Sequence, residues 1–307
     1  MVNPFKTPFQ NEDQFAVDCQ NNGSLEPQFQ INRRRNMPIV KAFGQIGYYL
    51  FPSENSYDQF KVKGGDFEHL SAEGMGVPLL QFVLRLPSLG MVVGNSPTFV
   101  IFKFLLLSAN SPPPAVQHEV VAANGQFCVY KVPFCEIYRY KSFKETEYRL
   151  VFPFGNGLGH NCIMKRSFAN RDLYTHVGDS NLRWYVPASI LYNRDHYKLQ
   201  ILDDCVPSIL DDPELKKKKK ALKKGRKPNN ITIAHYTRTY RDALPHKYAK
   251  RANLYVGERA DVTSYGIENV PWTTQLLACQ GLLIQYVEHM RRKERSNSGS
   301  GGGGVGS

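Results

Sequence analysis

The sequence predicts a mainly β (α+β) protein: a closed antiparallel β-barrel around a hydrophobic helix near the C-terminus. Three observations carry that expectation. Short segments rich in β-branched and aromatic residues recur between about residues 45 and 240, and clusters of Gly, Pro, Asn and Ser separate many of them. Some alternate, as Tyr148, Leu150 and Phe152 do against Glu147, Arg149 and Val151, which suits a sheet with one buried face. A C-terminal stretch from Pro271 through Val287 carries no charge at all.

The elements follow in chain order. Residues 1–38 are polar, rich in Asn and Gln, and end in "NRRRNMP", so a disordered arm is expected. The strand-like segments are "QIGYYLF", "LLQFVLRL", "TFVIFKFLLL", "QFCVYKV", "TEYRLVF", "NCIMKRSF", "LRWYV", "YKLQIL" and "ITIAHYTRTY". Little helix lies between them, which favours an antiparallel sandwich or barrel over a βαβ sheet. The exception is "DPELKKKKKALKKGRKPNN" at residues 212–230. Asp212, Pro213 and Glu214 suit a helix start and Gly225 a stop, but like charges repel at i,i+4 and make such a helix marginal. It reads as an insertion spanning 211–230. The helix starting at Pro271 places Leu276, Cys279, Leu283, Tyr286 and Met290 on three- and four-residue steps, with Leu277, Leu282, Ile284 and Val287 widening the stripe. So broad an apolar surface demands deep burial, and "RRKER" then sets cations at the negative end of the helix dipole. Barrel strands closing on this helix let the two bury one another. Residues 294–307 form a flexible Gly/Ser-rich tail. The domain thus spans 39–293.

Charge is concentrated. The formal net charge is +12, and Lys216, Lys217, Lys218, Lys219, Lys220, Lys223, Lys224, Arg226 and Lys227 supply nine of those charges in one run without acid. The rest of the chain is nearly balanced. Cys19, Cys128, Cys135, Cys162, Cys205 and Cys279 form no C-x-x-C pair and sit mostly in apolar runs, so buried free thiols in a reducing compartment are expected. The N-terminus lacks the basic and apolar regions of a secretory leader. No window has the roughly 18 uncharged apolar residues of a membrane helix. The expected setting is intracellular: cytoplasm, nucleus or the inner face of a membrane.

The strand series from Gln45 to Tyr240, "SNLRWYV" at Ser180–Val186 and the helix "PWTTQLLACQGLLIQYVEHM" together resemble the tubby C-terminal-like superfamily, as a divergent, fungal-type member. Its members include tubby proteins, phospholipid scramblases and LURP-one-related proteins. The resemblance implies a twelve-stranded closed barrel with the C-terminal helix through its middle. It also implies a basic site for a membrane phosphoinositide. "IYRYKSFK" (Arg139, Lys141, Lys144) and "IMKRSF" (Lys165, Arg166) are similar in character to such a site. The basic run at 216–227 is not a feature of that family.

Catalytic and metal signatures are absent from the sequence. "FGNGLGHN" has glycines, but the segment after it reads as a strand, so a hairpin turn is expected rather than a phosphate loop. No histidine lies in an H-x-x-x-H context, and no cofactor or metal is expected. Asp195, His196, Asp203 and Asp204 are a weak catalytic grouping. Trp184, Tyr192, Tyr197, Tyr236 and Tyr240, interleaved with basic residues, could stack bases but more simply fill the core. The leading expectation is a non-enzymatic binding or adaptor domain. It engages anionic phospholipid or an acidic protein surface through basic residues, peripherally rather than as an integral membrane protein. The alternatives are a nuclear nucleic-acid-binding protein using the insertion, or an import tag in that run, and an enzyme with an undetected site.

Overall fold

A computed structural model describes residues 29–42, 47–63, 70–85, 96–153, 161–167, 171–187, 196–239, 248–259 and 266–299. The arm at 1–28, the glycine loop at 154–160, the C-terminal residues after 299, and Cys19, Tyr192, Asp195 and Tyr240 lie outside those residues.

Twelve strands close into an antiparallel barrel. In chain order the elements are β1 (Arg33–Ala42), β2 (Tyr48–Leu50), α1 (Glu54–Val62), β3 (Leu80–Leu84), β4 (Phe99–Ser108), β5 (Glu119–Ala123), β6 (Phe127–Lys141), β7 (Glu145–Val151), β8 (Cys162–Ser167), β9 (Leu173–Val177), β10 (Ser180–Tyr185), β11 (His196–Ile201), α2 (Pro213–Lys223), β12 (Ile231–Arg238), β13 (Tyr248–Glu258) and α3 (Trp272–Gly299). The sheet runs β4-β3-β2-β1-β13-β12-β11-β10-β9-β8-β7-β6, and β4 pairs with β6 to shut the ring. Closure removes the open edges that a free sheet exposes. β5 pairs only with the first part of β6, outside the ring.

Register slips bend the wall. They fall at Ile39/Val40 of β1, Ile101/Phe102 of β4 and Leu199/Gln200 of β11. The slip opposite β4 explains why β6 runs through Pro133. Phe102 pairs with Pro133 and Ile101 with Cys135, so the proline sits at an irregularity that tolerates a missing donor. The expected "QFCVYKV" strand stops short of this proline, whereas β6 continues to Lys141.

The arm expected at 1–38 needs correcting from Arg33 onward. Those residues form β1, between β2 and β13. Arg35 is 0% exposed, and its Nε donates to Glu258 at 2.9 Å. The partner is 223 residues away in sequence, so "RRR" reads locally as a solvated run. β9 and β13 also lay outside the expected strand list. Their alternating burial, as in Ala249, Ala252, Leu254 and Val256, appears only against their neighbours.

The helix α3 runs through the barrel as expected. Leu276, Leu277, Ala278, Cys279, Leu282, Leu283 and Ile284 are all buried. Its interior polar residues each pin a different strand. The Gln280 carbonyl accepts from Trp184 Nε1 of β10 at 2.8 Å. Gln285 accepts from the Tyr236 hydroxyl of β12 at 2.6 Å, and the Thr274 hydroxyl donates to Glu258 of β13 at 2.8 Å. A buried polar group without a partner costs on the order of 1–3 kcal/mol, so these bonds fix the rotation of the helix in its sleeve. Gly281 lets the helix approach β13: a Cβ there would lie 2.8 Å from Leu254.

Candidate functional site

The chain geometry gathers cations where α3 leaves the barrel. Inner-face residues of β6 alternate from Cys135 and Ile137, both buried, to Arg139 and Lys141 at the rim. Across β7 and β8, Lys141 pairs with Thr146 and Thr146 with Arg166. At the same end the Tyr286 ring of α3 packs in tilted contact with Phe99 at 4.5 Å and Phe82 at 5.7 Å between ring centroids. Arg291, Arg292, Lys293 and Arg295 follow on the last turns of α3.

Electrostatics at this rim follow from that crowding. Tyr286 is raised above the ordinary tyrosine range by burial, against which Arg139 acts. His289 is held below the ordinary histidine range by burial of its ring and then by Lys41, Arg292, Lys293 and Arg251. Arg291 is lowered by burial, and Arg171 and Arg295 add to that. Burial is the larger cause of both shifts, and the neighbouring cations add to it. Glu288 is the counter-ion. It is 1% exposed, accepts from the Tyr197 hydroxyl, and pairs with Arg171 at 2.8 Å and Arg291 at 3.4 Å. Even so, the Nε atoms of Arg166, Arg171 and Arg291 are buried with no hydrogen-bond partner among the described residues. Converging guanidinium donors of this kind suit phosphate or carboxylate oxygens.

The β6–β7 turn projects from this rim. Ser142 Oγ accepts from the Glu145 backbone N–H at 3.2 Å, and Ser142 N–H donates to the Glu145 carbonyl at 2.9 Å. The turn holds Phe143 at its tip with 105% relative exposure, between Lys141 and Lys144. Sequence reading singled out the two lysines and passed over the phenylalanine. A lone aromatic in "KSFK" is indistinguishable from a core residue until the turn is placed.

The residues expected at an anion site divide. Arg139, Lys141 and Arg166 come together at the rim, and Lys144 sits in the adjoining turn. Lys165 turns outward and pairs with Glu145 at 3.1 Å and Glu147 at 3.2 Å, which hold its pKa up despite opposing burial. The basic insertion lies elsewhere. β11 (His196–Ile201) leads into a connection that packs beside Tyr174 of β9, and α2 follows it, tied down by the Lys219–Asp211 and Arg226–Asp203 pairs.

Other expected groupings resolve into structure. Trp184, Tyr197 and Tyr236 are buried, as core residues. His196 begins β11 and hydrogen-bonds Thr237 at 3.2 Å, while Asp203 lies past the strand's other end. Asp203 accepts from the backbone N–H groups of Cys205 and Asn229, which lower its pKa with Arg226 in support. It is a turn-holder, remote from His196. Among the described residues Cys128, Cys135, Cys162, Cys205 and Cys279 are free thiols, and no group of three or more His, Cys, Asp or Glu is placed to hold a metal ion. No helix among those residues is long and apolar enough to cross a membrane. A cavity of about 520 Å³ lies on the outer wall over Val100, Phe102 and Pro133. Its acids are engaged nearby: Glu119 with Lys131 at 2.7 Å and Glu136 with the Tyr138 hydroxyl at 2.8 Å.

Comparison with known proteins agrees on one kinship. The profile of the DIA1 family matches residues 32–293. The chain is 33% identical over 288 residues to Uncharacterized protein YOR385W of Saccharomyces cerevisiae, covering 94% of this chain and 98% of that one. It is 33% identical over 295 residues to Protein DIA1 of the same yeast, covering 93% and 88%. A third yeast relative, Uncharacterized protein YNL165W, is 25% identical over 315 residues, covering 91% and 77%. No solved structure matches the chain.

Proposed function

We propose that this chain, which belongs to the DIA1 family, is a non-enzymatic binding domain that docks its basic barrel mouth on anionic membrane lipid. The observation that carries the reading is Phe143, fully exposed on a tight turn between Lys141 and Lys144 at the rim where the cations gather. An aromatic ring held in water on a hairpin tip gains about 1.5–3 kcal/mol when it enters an apolar layer. Each Lys or Arg near an anionic leaflet adds about 1 kcal/mol. Together a wedge and a cationic ring suit a peripheral attachment that needs no spanning helix.

Within that reading the headgroup is a phosphoinositide. Several guanidinium and ammonium groups converge on one rim, and a multiply phosphorylated headgroup offers oxygens to more than one of them. A distant, tubby-like kinship of the DIA1 barrel belongs to the same proposal, supported by the closed antiparallel ring around a C-terminal helix. An inner-leaflet setting follows, because that leaflet carries the anionic lipid.

Co-sedimentation with vesicles tests it. Phosphatidylcholine vesicles should leave the protein in solution, phosphatidylserine should recover part of it, and added phosphoinositide should recover more. Phe143→Ala and Lys141→Glu/Lys144→Glu should each lower partitioning about tenfold or more. Bound headgroup should raise the His289 pKa, read by NMR. Equal recovery on neutral and anionic vesicles at low salt refutes the proposal.

A further inference from the structure

The basic insertion is folded and anchored. Asp212 caps α2 by accepting from the Leu215 N–H at 2.8 Å, and Gly225 turns the chain beyond it at φ +86°. Lys219 is 8% exposed and pairs with buried Asp211 at 3.1 Å, while the Lys216 ammonium donates to the Ile209 carbonyl at 3.2 Å. Arg226 pairs with Asp203 at 3.3 Å and closes the far side. Beneath, Ile209 and Leu210 pack on Leu202, Cys205 and Val206 of the β11–α2 connection and on Tyr174 of β9. The expected marginal helix is thus held by side chains that sequence spacing alone presents as mutually repelling.

Anchoring divides the cations into two sets. Lys216, Lys217, Lys219 and Arg226 are engaged within the protein. Lys218, Lys220, Lys223, Lys224 and Lys227 have no ion pair among the described residues, and their surroundings are exposed. Leu215 and Leu222 are also exposed, at 38% and 54%. Seven residues apart, they lie nearly above one another, two turns along one side of the helix. Lys218, three residues after Leu215 and four before Leu222, borders the leucines on one side and Lys223 lies about a quarter-turn round on the other, so two ammonium groups and two open leucines form a mixed surface.

We propose that α2 docks an acidic polypeptide segment that also carries apolar residues. Charge complementarity selects an acidic partner, and the leucine pair selects a polypeptide over nucleic acid. A phosphate backbone would leave both leucines in water. The cationic stretch from Lys218 to Lys224 is also only about 9 Å long on a helix, and Asp211, Asp212 and Glu214 crowd its start. Carboxylates on a short peptide match that span. The inference does not depend on the lipid reading.

Fluorescence anisotropy on the full chain tests it with three labelled probes of equal negative charge: a Glu/Leu-rich peptide, an oligo-glutamate and a single-stranded oligonucleotide. The Glu/Leu peptide should bind most tightly. Lys218→Glu/Lys220→Glu/Lys223→Glu should weaken it at least about tenfold, since every 1.4 kcal/mol is one decade. Leu215→Ser/Leu222→Ser should weaken the same peptide about fivefold or more and leave oligo-glutamate unchanged. Neither variant alters Asp211, Lys219 or the packed residues below, so both should keep the parent melting temperature. Tighter binding of the oligonucleotide than of the peptide overturns the proposal, as does a leucine variant that binds the peptide like the parent.

Discussion

Glu258→Gln should be among the most destabilising single-atom-scale changes in this barrel. The Glu258 carboxylate is 1% exposed and ends β13. It accepts from Arg33 Nε at 2.5 Å, from Arg35 Nε at 2.9 Å and from the Thr274 hydroxyl at 2.8 Å. One group therefore ties β1, β13 and the start of α3. Removing one partner of a buried ion pair costs about 3–5 kcal/mol, mostly because the other charge stays behind. Here that charge is Arg35, which is 0% exposed. Arg35 keeps the Pro52 carbonyl at 3.0 Å, and the amide keeps one acceptor, so the lower end, about 3 kcal/mol, is expected. Urea unfolding followed by tryptophan fluorescence measures it. With a slope of about 3 kcal/mol/M, the midpoint should fall by about 1 M. Arg33→Gln is the control: its loss leaves Arg35 to neutralise Glu258, so no buried charge is stranded and the cost should be the smaller of the two. A midpoint shift for Glu258→Gln no larger than that of Arg33→Gln would refute the reasoning, since it would mean that water reaches Arg35.

Other expectations follow from the same packing. Leu283→Asp puts a carboxylate on a 0% exposed face of α3 and should abolish cooperative folding, checked by circular dichroism and chemical denaturation; a folded, soluble variant would place the helix outside the barrel. His235 is lowered to about 3 by burial, with Lys198, Arg34 and His196 adding to it. The native state therefore takes up its proton well below the unfolded value near 6.5, and stability present above that pH is lost as pH falls from about 6.5 toward 3, by at most about 1.4 kcal/mol per unit. His235→Gln should flatten that part of a stability–pH curve, and an unchanged slope would exclude His235 as its source.

Local chemistry determined more of this protein than its mixed composition suggests. Alternation in residues 146–152, the uncharged stretch from Pro271 and the Asp212 cap each declare an element through forces acting over a few residues, and the barrel with its central helix follows from their need to bury one another. Arg139, Lys141 and Arg166 were likewise legible as cations similar in character to an anion site. Tertiary structure decided what those charges do. Arg35 enters the core because Glu258 reaches it from the far end of the chain, and Lys219 is buried because Asp211 lies beneath it. Lys165 is taken up by Glu147 across the sheet, while its neighbour Arg166 faces the rim. Whether a charge is paired or left free depends on distances of a few ångströms between segments far apart in sequence, and only the closed ring of strands sets those distances.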